Sequence, residues 1–183
     1  MWRNSLTSYG FVAYLLHWLM AILLLVIFAL GVWMTGLGYY DAWYVRGPDL
    51  HRSLGVLFFA LLVFRLIWRV TNPQPAFEKS LAKWEKFAAT LMQYALYLLM
   101  LLIPISGYLI STAKGRAISV FNLFDVPATL ELENKVDLLG QWHEWMAWAI
   151  IGLVAFHALA ALKHHFVNKD NSLKKMLWPN SYD

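Results

Sequence analysis

Four apolar stretches, at about residues 11–34, 51–68, 87–111 and 142–166, decide what this chain can fold into. A helix needs about 20 apolar residues to cross the hydrocarbon core of a bilayer, and each stretch reaches or nears that length. In lipid the backbone has no water to bond, so single apolar spans close their hydrogen bonds internally, as helices. Composition agrees: 60% of the 183 residues are hydrophobic and 14% charged, with ten Trp, nine Tyr and eleven Phe, far too apolar for a soluble domain. The pattern predicts an all-α fold, a transmembrane four-helix bundle, forming a single membrane domain over residues 1–183.

The segments between the spans read as breaks. "TGLGYYDAWYVRGPD" carries glycines, a proline and interfacial aromatics, and "RVTNPQPAFEKSLAKWEK" is punctuated by Pro73 and Pro75. The longest, "TAKGRAISVFNLFDVPATLELENKVDLLGQ", is expected to hold a short amphipathic helix near residues 133–139. Only Arg3 precedes the first span, which is longer than the roughly seven to fifteen apolar residues of a signal peptide and lacks a small-x-small cleavage site, so it is expected to be retained.

Basic residues orient the spans. If both termini share one side, that side holds Arg3, Arg65, Arg69, Lys79, Lys83, Lys86, Lys163, Lys169, Lys174 and Lys175, against Arg46, Arg52, Lys114, Arg116 and Lys135 opposite. Both termini are therefore expected to be cytoplasmic. The net charge of +4 is mostly this topology signal, so membrane lipid is an expected partner and nucleic acid is not. With no cysteine, disulfides, iron–sulfur clusters and haem attached through C-x-x-C-H are excluded.

The last span, "WHEWMAWAIIGLVAFHALAALKHH", carries four histidines, which are costly in lipid. His143 and His157 are fourteen residues apart, about 21 Å along a helix and within about 40° of one direction. One helix face thus presents a histidine near each membrane surface. His17, early in the first span, shares the inner level with His157, and His51, opening the second, shares the outer level with His143. Zinc needs about four ligands, and each level offers two histidines; "HEWMA" also lacks the second histidine of H-E-x-x-H. Haem iron needs only two axial nitrogens, and its flat ring suits an apolar slot between helices. Two non-covalent b-type haems are expected, His17/His157 holding the inner one and His51/His143 the outer.

Other residues are read against that geometry. Arg65, fourteen after His51, falls at the inner level, where it either pairs with haem propionates or snorkels to the headgroups. Gly31, fourteen after His17, and Gly55, one turn after His51, either admit a macrocycle or pack helices. His164, seven after His157, continues the stripe to within about 20°. It is a candidate to bond a propionate or to bind a quinone carbonyl and relay its proton, beside the alternative of an interfacial residue; His165 points elsewhere. Trp68 and Arg69 are candidates for a quinone-binding edge, and Pro104 is expected to kink the third span.

Four segments, "LLHWLM", "HRSLGVLFFALLVFRLIWR", "YLLMLLIPISGYLI" and "WHEWMAWAIIGLVAFHALAALKHHFVNKDNSLKKM", resemble the bacterial cytochrome b561 family over nearly the whole chain. The resemblance implies a four-helix protein of the bacterial inner (cytoplasmic) membrane with two b haems, ligated by His17 with His157 and by His51 with His143, exchanging electrons with the quinone pool. Bis-histidine ligation fills both axial sites and favours one-electron transfer. The outer donor is a small molecule or a protein; family likeness suggests superoxide, making the chain an oxidoreductase of superoxide:ubiquinone type. Arg46, Arg52, Lys114 and Arg116 would attract such an anion, offset by Asp41, Asp49, Asp125, Glu131, Glu133, Asp137 and Glu144. Some relatives carry histidine near the positions of Thr90 and Gln93, which this chain lacks. Two other readings stand beside this one: a cytochrome b subunit of a larger dehydrogenase or hydrogenase complex, and a haem-free transport or scaffold protein using the histidines as proton relays.

Overall fold

The computed structural model describes residues 1–78 and 80–178; Lys79, counted above among the inner basic residues, lies outside them. Four long helices dominate: α1 (Phe11–Thr35), α2 (Arg46–Thr71), α3 (Lys83–Thr112) and α4 (Val136–Lys163). Each carries an apolar window long enough to cross a membrane. Only 11% of that window is buried in α1, α2 and α3. Ile22, Val70 and Phe156 turn outward while Ser53, Asn72, Ser106 and Thr112 are buried, the apolar-outside arrangement that lipid calls for.

Local chemistry accounts for the helix ends. The first amides of α1, at Phe11 and Val12, donate to the carbonyls of Met1 and Trp2 at 3.2 and 3.4 Å, so the chain's own start caps the helix. At α3, Glu85 reaches back to accept the Ala82 amide at 3.0 Å, half of a capping box. α2 opens with Asp49 paired to Arg52 and closes with Arg69, charges placed to suit the helix dipole. After α4, a π turn (His164–Asn168) ends at Lys169, whose φ of 56° is left-handed. A short helix α5 (Lys174–Leu177) follows, and the Trp18 indole donates to its Met176 carbonyl at 2.9 Å.

Three features depart from the sequence reading. α2 begins at Arg46, a full turn before His51, because Gly47 and Pro48 fall in its first turn, where proline's missing N–H costs nothing. The amphipathic stretch near residue 133 is not a separate helix but a 3-10 turn (Glu133–Lys135) running into α4. The α3–α4 connection also contains an antiparallel hairpin, β1 (Ile118–Val120) with β2 (Phe124–Val126), pairing Ile118 with Val126 and Val120 with Phe124. Phe121 and Asn122 turn it with φ of 50° and 57°, closed by the Leu123 amide on the Val120 carbonyl at 2.9 Å. Buried Ile118 and Val120 seat it, and the Ser53 hydroxyl on α2 accepts the Phe121 amide at 3.0 Å. Pro104 lies inside α3, which continues past it to Thr112.

The chain packs as two compact units. The first takes Met1–Met20, Leu61–Leu98 and the chain from Ile150 onward; the second takes Ala21–Ala60 and Leu99–Ala149. Each long helix contributes one part to each unit.

Candidate functional site

In the first unit, α1 supplies His17 and α4 supplies His157, with ring centres 6.3 Å apart. Arg65 of α2 approaches them: its Nη2 lies 3.4 Å from His17 Nδ1, and its Nε donates to the Tyr97 hydroxyl at 3.0 Å. Arg69 lies one turn on. Both guanidinium groups stand over the Tyr97 ring, at 5.8 Å for Arg65 and 5.4 Å for Arg69. Arg69 donates to Gln93 at 3.0 Å and to Gln74 at 3.2 Å, so two glutamines orient this arginine. Among the described residues no carboxylate pairs with Arg65 or Arg69. Burial raises the Tyr9 phenol above its ordinary value, against the pull of Arg69 and Arg65.

In the second unit, His51 of α2 faces His143 of α4, with ring centres 6.2 Å apart. Each imidazole lies against a glycine. A Cβ on Gly31 would sit 3.0 Å from His51 Cε1, and one on Gly107 would sit 3.1 Å from His143 Cε1. His51 Nδ1 is buried without a hydrogen bond. His143 Nδ1 lies 2.9 Å from the Ser106 hydroxyl. Around Gly55, a Cβ would meet nothing within 4 Å.

Both pairs fit a bis-histidine metal. A metal–imidazole bond of about 2 Å on each side, plus about 1 Å from each bonding nitrogen to its ring centre, sets such rings about 6 Å apart. The observed 6.3 and 6.2 Å match that span. Among the described residues no three His, Cys, Asp or Glu side chains converge on a metal position, so each pair offers a metal two protein ligands, the number a haem iron takes. The orphaned His51 nitrogen and the two glycine approaches belong to the same design, in which the rings are held by close packing.

His164 sits apart from the pairs. It begins the π turn that follows α4, and its Nδ1 lies 2.7 Å from Asp170 Oδ2. Burial pushes the Asp170 carboxyl up, but hydrogen bonds from the Ser172 amide and hydroxyl and from His164 outweigh it, leaving the group below its ordinary 3.8. Asp170 thus stays ionised and accepts from His164 Nδ1, which turns the Nε2 edge away from the carboxylate. Beside this turn, Lys163 Nζ at the end of α4 pairs with Glu85 of α3 at 2.8 Å. His165 Nδ1 and Trp68 Nε1 are buried and make no hydrogen bond.

The basic residues at the start of α2 and in the α3–α4 connection are partly neutralised, as expected. Arg52 pairs with Asp49 and Lys114 with Glu133 at 3.5 Å. Arg52 and Arg116 nevertheless line one open cleft with Asp49, Ser111 and Ser119.

Sequence reasoning missed Ser106, Gly107, Tyr97 and Asp170. The adjacent "SG" of helix three carried a signal, a hydroxyl beside a missing side chain within an apolar span, whereas Asp170 lies in a polar tail without periodicity.

The family model described as prokaryotic cytochrome b561 matches residues 8–179. Cytochrome b561 homolog 2 of Escherichia coli strain K12 is 48% identical over 181 residues, covering 98% of this chain and 96% of that protein. Cytochrome b561 homolog 1 of the same strain is 31% identical over 136 residues, covering 73% of this chain and 76% of that one. A Yersinia pestis protein named probable superoxide oxidase CybB is 27% identical over 164 residues, covering 88% and 91%. Four membrane-length helices, two histidine pairs at metal-bridging distance and a match across nearly the whole sequence make one conclusion: the chain belongs to the prokaryotic cytochrome b561 family, multi-pass bacterial membrane proteins that carry b-type haem and transfer electrons.

Proposed function

We propose that this protein is a dihaem cytochrome of the bacterial inner membrane, a single membrane domain with both termini cytoplasmic, that moves electrons from a donor at the outer face to the quinone pool. The observation that carries the reading is the pair of facing histidines in each unit, at 6.3 and 6.2 Å. On this reading His17 and His157 hold the inner haem and His51 and His143 the outer. When bound, each haem would supply reversible one-electron chemistry.

The remaining roles fall to the chain's own side chains. Arg65, which no carboxylate of the described residues neutralises, supplies a planar fork for a propionate of the inner haem. His164, held through Nδ1 by Asp170, keeps Nε2 clear of the carboxylate, and when that nitrogen also carries a proton the imidazolium can donate to a quinone carbonyl and pass the proton on. Arg46, Arg52, Lys114 and Arg116 attract an anionic donor. The Yersinia pestis relative's name supports superoxide in that place. Each superoxide gives up one electron and leaves as dioxygen, so two are consumed for each quinone that takes up two electrons and two protons.

The test is a haem assay and a spectrum of the purified full chain, followed by mixing with superoxide in the presence and absence of ubiquinone. Two low-spin haems per chain, reduced by superoxide and reoxidised by quinone, is the expected result. One haem or none overturns the dihaem assignment. Haems that superoxide leaves oxidised, but that a co-purifying protein reduces, place the chain as the cytochrome subunit of a larger complex.

A further inference from the structure

We infer that Ser106 and Gly107 form a seat that fixes the plane and tautomer of the His143 imidazole, and that Ser106 thereby tunes the haem which His143 ligates. The inference rests on the dihaem reading above and assigns Ser106 as a positioning residue.

The argument is a count of protons. Ser106 is 6% exposed, and its hydroxyl has one proton to give. That hydroxyl lies 2.8 Å from the Ile103 carbonyl, which can only accept, so the proton goes there. Toward His143 Nδ1, 2.9 Å away, Ser106 Oγ is then left as an acceptor. Nδ1 must carry the hydrogen, and the lone pair is forced onto Nε2. Gly107 completes the seat: a Cβ there would stand 3.1 Å from His143 Cε1 and 3.6 Å from Nδ1, so a larger residue would press on the ring where it settles onto α3 to reach the hydroxyl.

His51, across the pair, has half of this arrangement. It lies against Gly31, but its Nδ1 is buried and forms no hydrogen bond. The two imidazoles of one pair are therefore unequal. A hydrogen bond accepted from the far nitrogen of a metal-bound histidine raises its basicity as a ligand. His143 should be the stronger electron donor to its iron, through a relay in which each member polarises the next. A stronger donor stabilises the oxidised iron and lowers its reduction potential.

Three replacements separate this role from simple packing: Ser106→Ala, Ser106→Thr, which keeps the hydroxyl, and Ser106→Val, which has the shape of threonine without it. In potentiometric titrations of the haem-loaded protein, Ala and Val should raise the midpoint of one haem and leave the other unmoved, and Thr should restore it. Unchanged midpoints, equal shifts at both haems, or Thr behaving as Val overturns the inference. If Ala and Val do not accumulate, the reduced, diamagnetic wild type decides: the His143 Nδ1 proton should resonate downfield of its His51 counterpart and exchange more slowly with deuterium. Equal signals overturn it. A wild type with two bis-histidine haems but no Ser106 effect sinks this inference alone, whereas one without such haems sinks both.

Discussion

Arg65 reaches to 3.4 Å from His17 Nδ1 while its Nε donates to Tyr97, so the first unit places an arginine with no carboxylate partner among the described residues beside one imidazole of a facing pair. That side chain is held from α3 and presented to the ring on α1. A half-buried positive charge within an apolar helix is costly unless an anion answers it, and the propionates of a haem between His17 and His157 would do so. Replacing Arg65 by Leu should weaken haem binding at this pair by roughly tenfold or more, within the usual range for outer-shell partners, and spare the other. Lysine should recover only part, since it lacks the planar fork. Haem titration of the two variants measures both effects, and equal loss at both pairs would refute the placement.

The histidines themselves give the plainest outcome. Alanine at His17 or at His157 should remove one haem, and alanine at His51 or at His143 the other, halving the haem content each time. Double replacements within a pair should cost no more haem than single ones, whereas a double across the pairs should leave none. Haem content and the low-spin spectrum check this, and a cross-pair single-haem phenotype would mean that the partners are wrongly matched.

How much of this was legible in the sequence depends on the length of the signal. Four apolar runs and a fourteen-residue histidine spacing on one helix are strong periodic patterns, and they located the spans and matched the histidines by depth. Arg65 and Gly31 were found by the same count. Ser106 was not, because a hydroxyl in an apolar helix ordinarily bonds its own backbone; it does so here, to Ile103, and its second contact depends on which helix lies beside it. The hairpin was missed because three-residue strands carry almost no alternation, and its turn uses Phe121 at φ 50°, a residue that rarely marks such a place. The Asp170 partner of His164 was not legible for a related reason: the π turn and left-handed Lys169 redirect the chain after α4, and only the folded chain brings His164 to Asp170.

The glycines against the second histidine pair make a packing prediction. At Gly31 and Gly107 a Cβ would press the facing imidazole at 3.0 and 3.1 Å. Valine at either position should cost about 1–3 kcal/mol through overpacking and lower the occupancy of that pair's haem. Gly140 is the control: it lies in α4 with nothing within 4 Å of its Cβ position, so alanine there should be neutral or stabilise by about 0.5–1 kcal/mol. Thermal melts with haem quantification separate the cases, and a Gly140→Ala variant as damaged as Gly31→Val would remove the steric argument.

The His164–Asp170 turn makes a prediction in pH. Because Asp170 sits below its ordinary 3.8 in the folded chain, its contribution to stability is fully present above that value and is lost as pH falls through the lower native one. The amides of Lys169 and Asp170, which both donate to the His164 carbonyl, report the turn directly. Their protection against hydrogen exchange, corrected for the intrinsic rate, should stay level from neutral pH down to the ordinary carboxylate range and collapse only in stronger acid. Replacing Asp170 by Asn removes the charge-assisted bond at a cost of about 1–2 kcal/mol. The same amides should then exchange roughly 5- to 30-fold faster at neutral pH, with no acid transition left. If the variant keeps wild-type protection, the carboxylate does not hold the turn, and His164 Nε2 is not oriented by it toward a quinone.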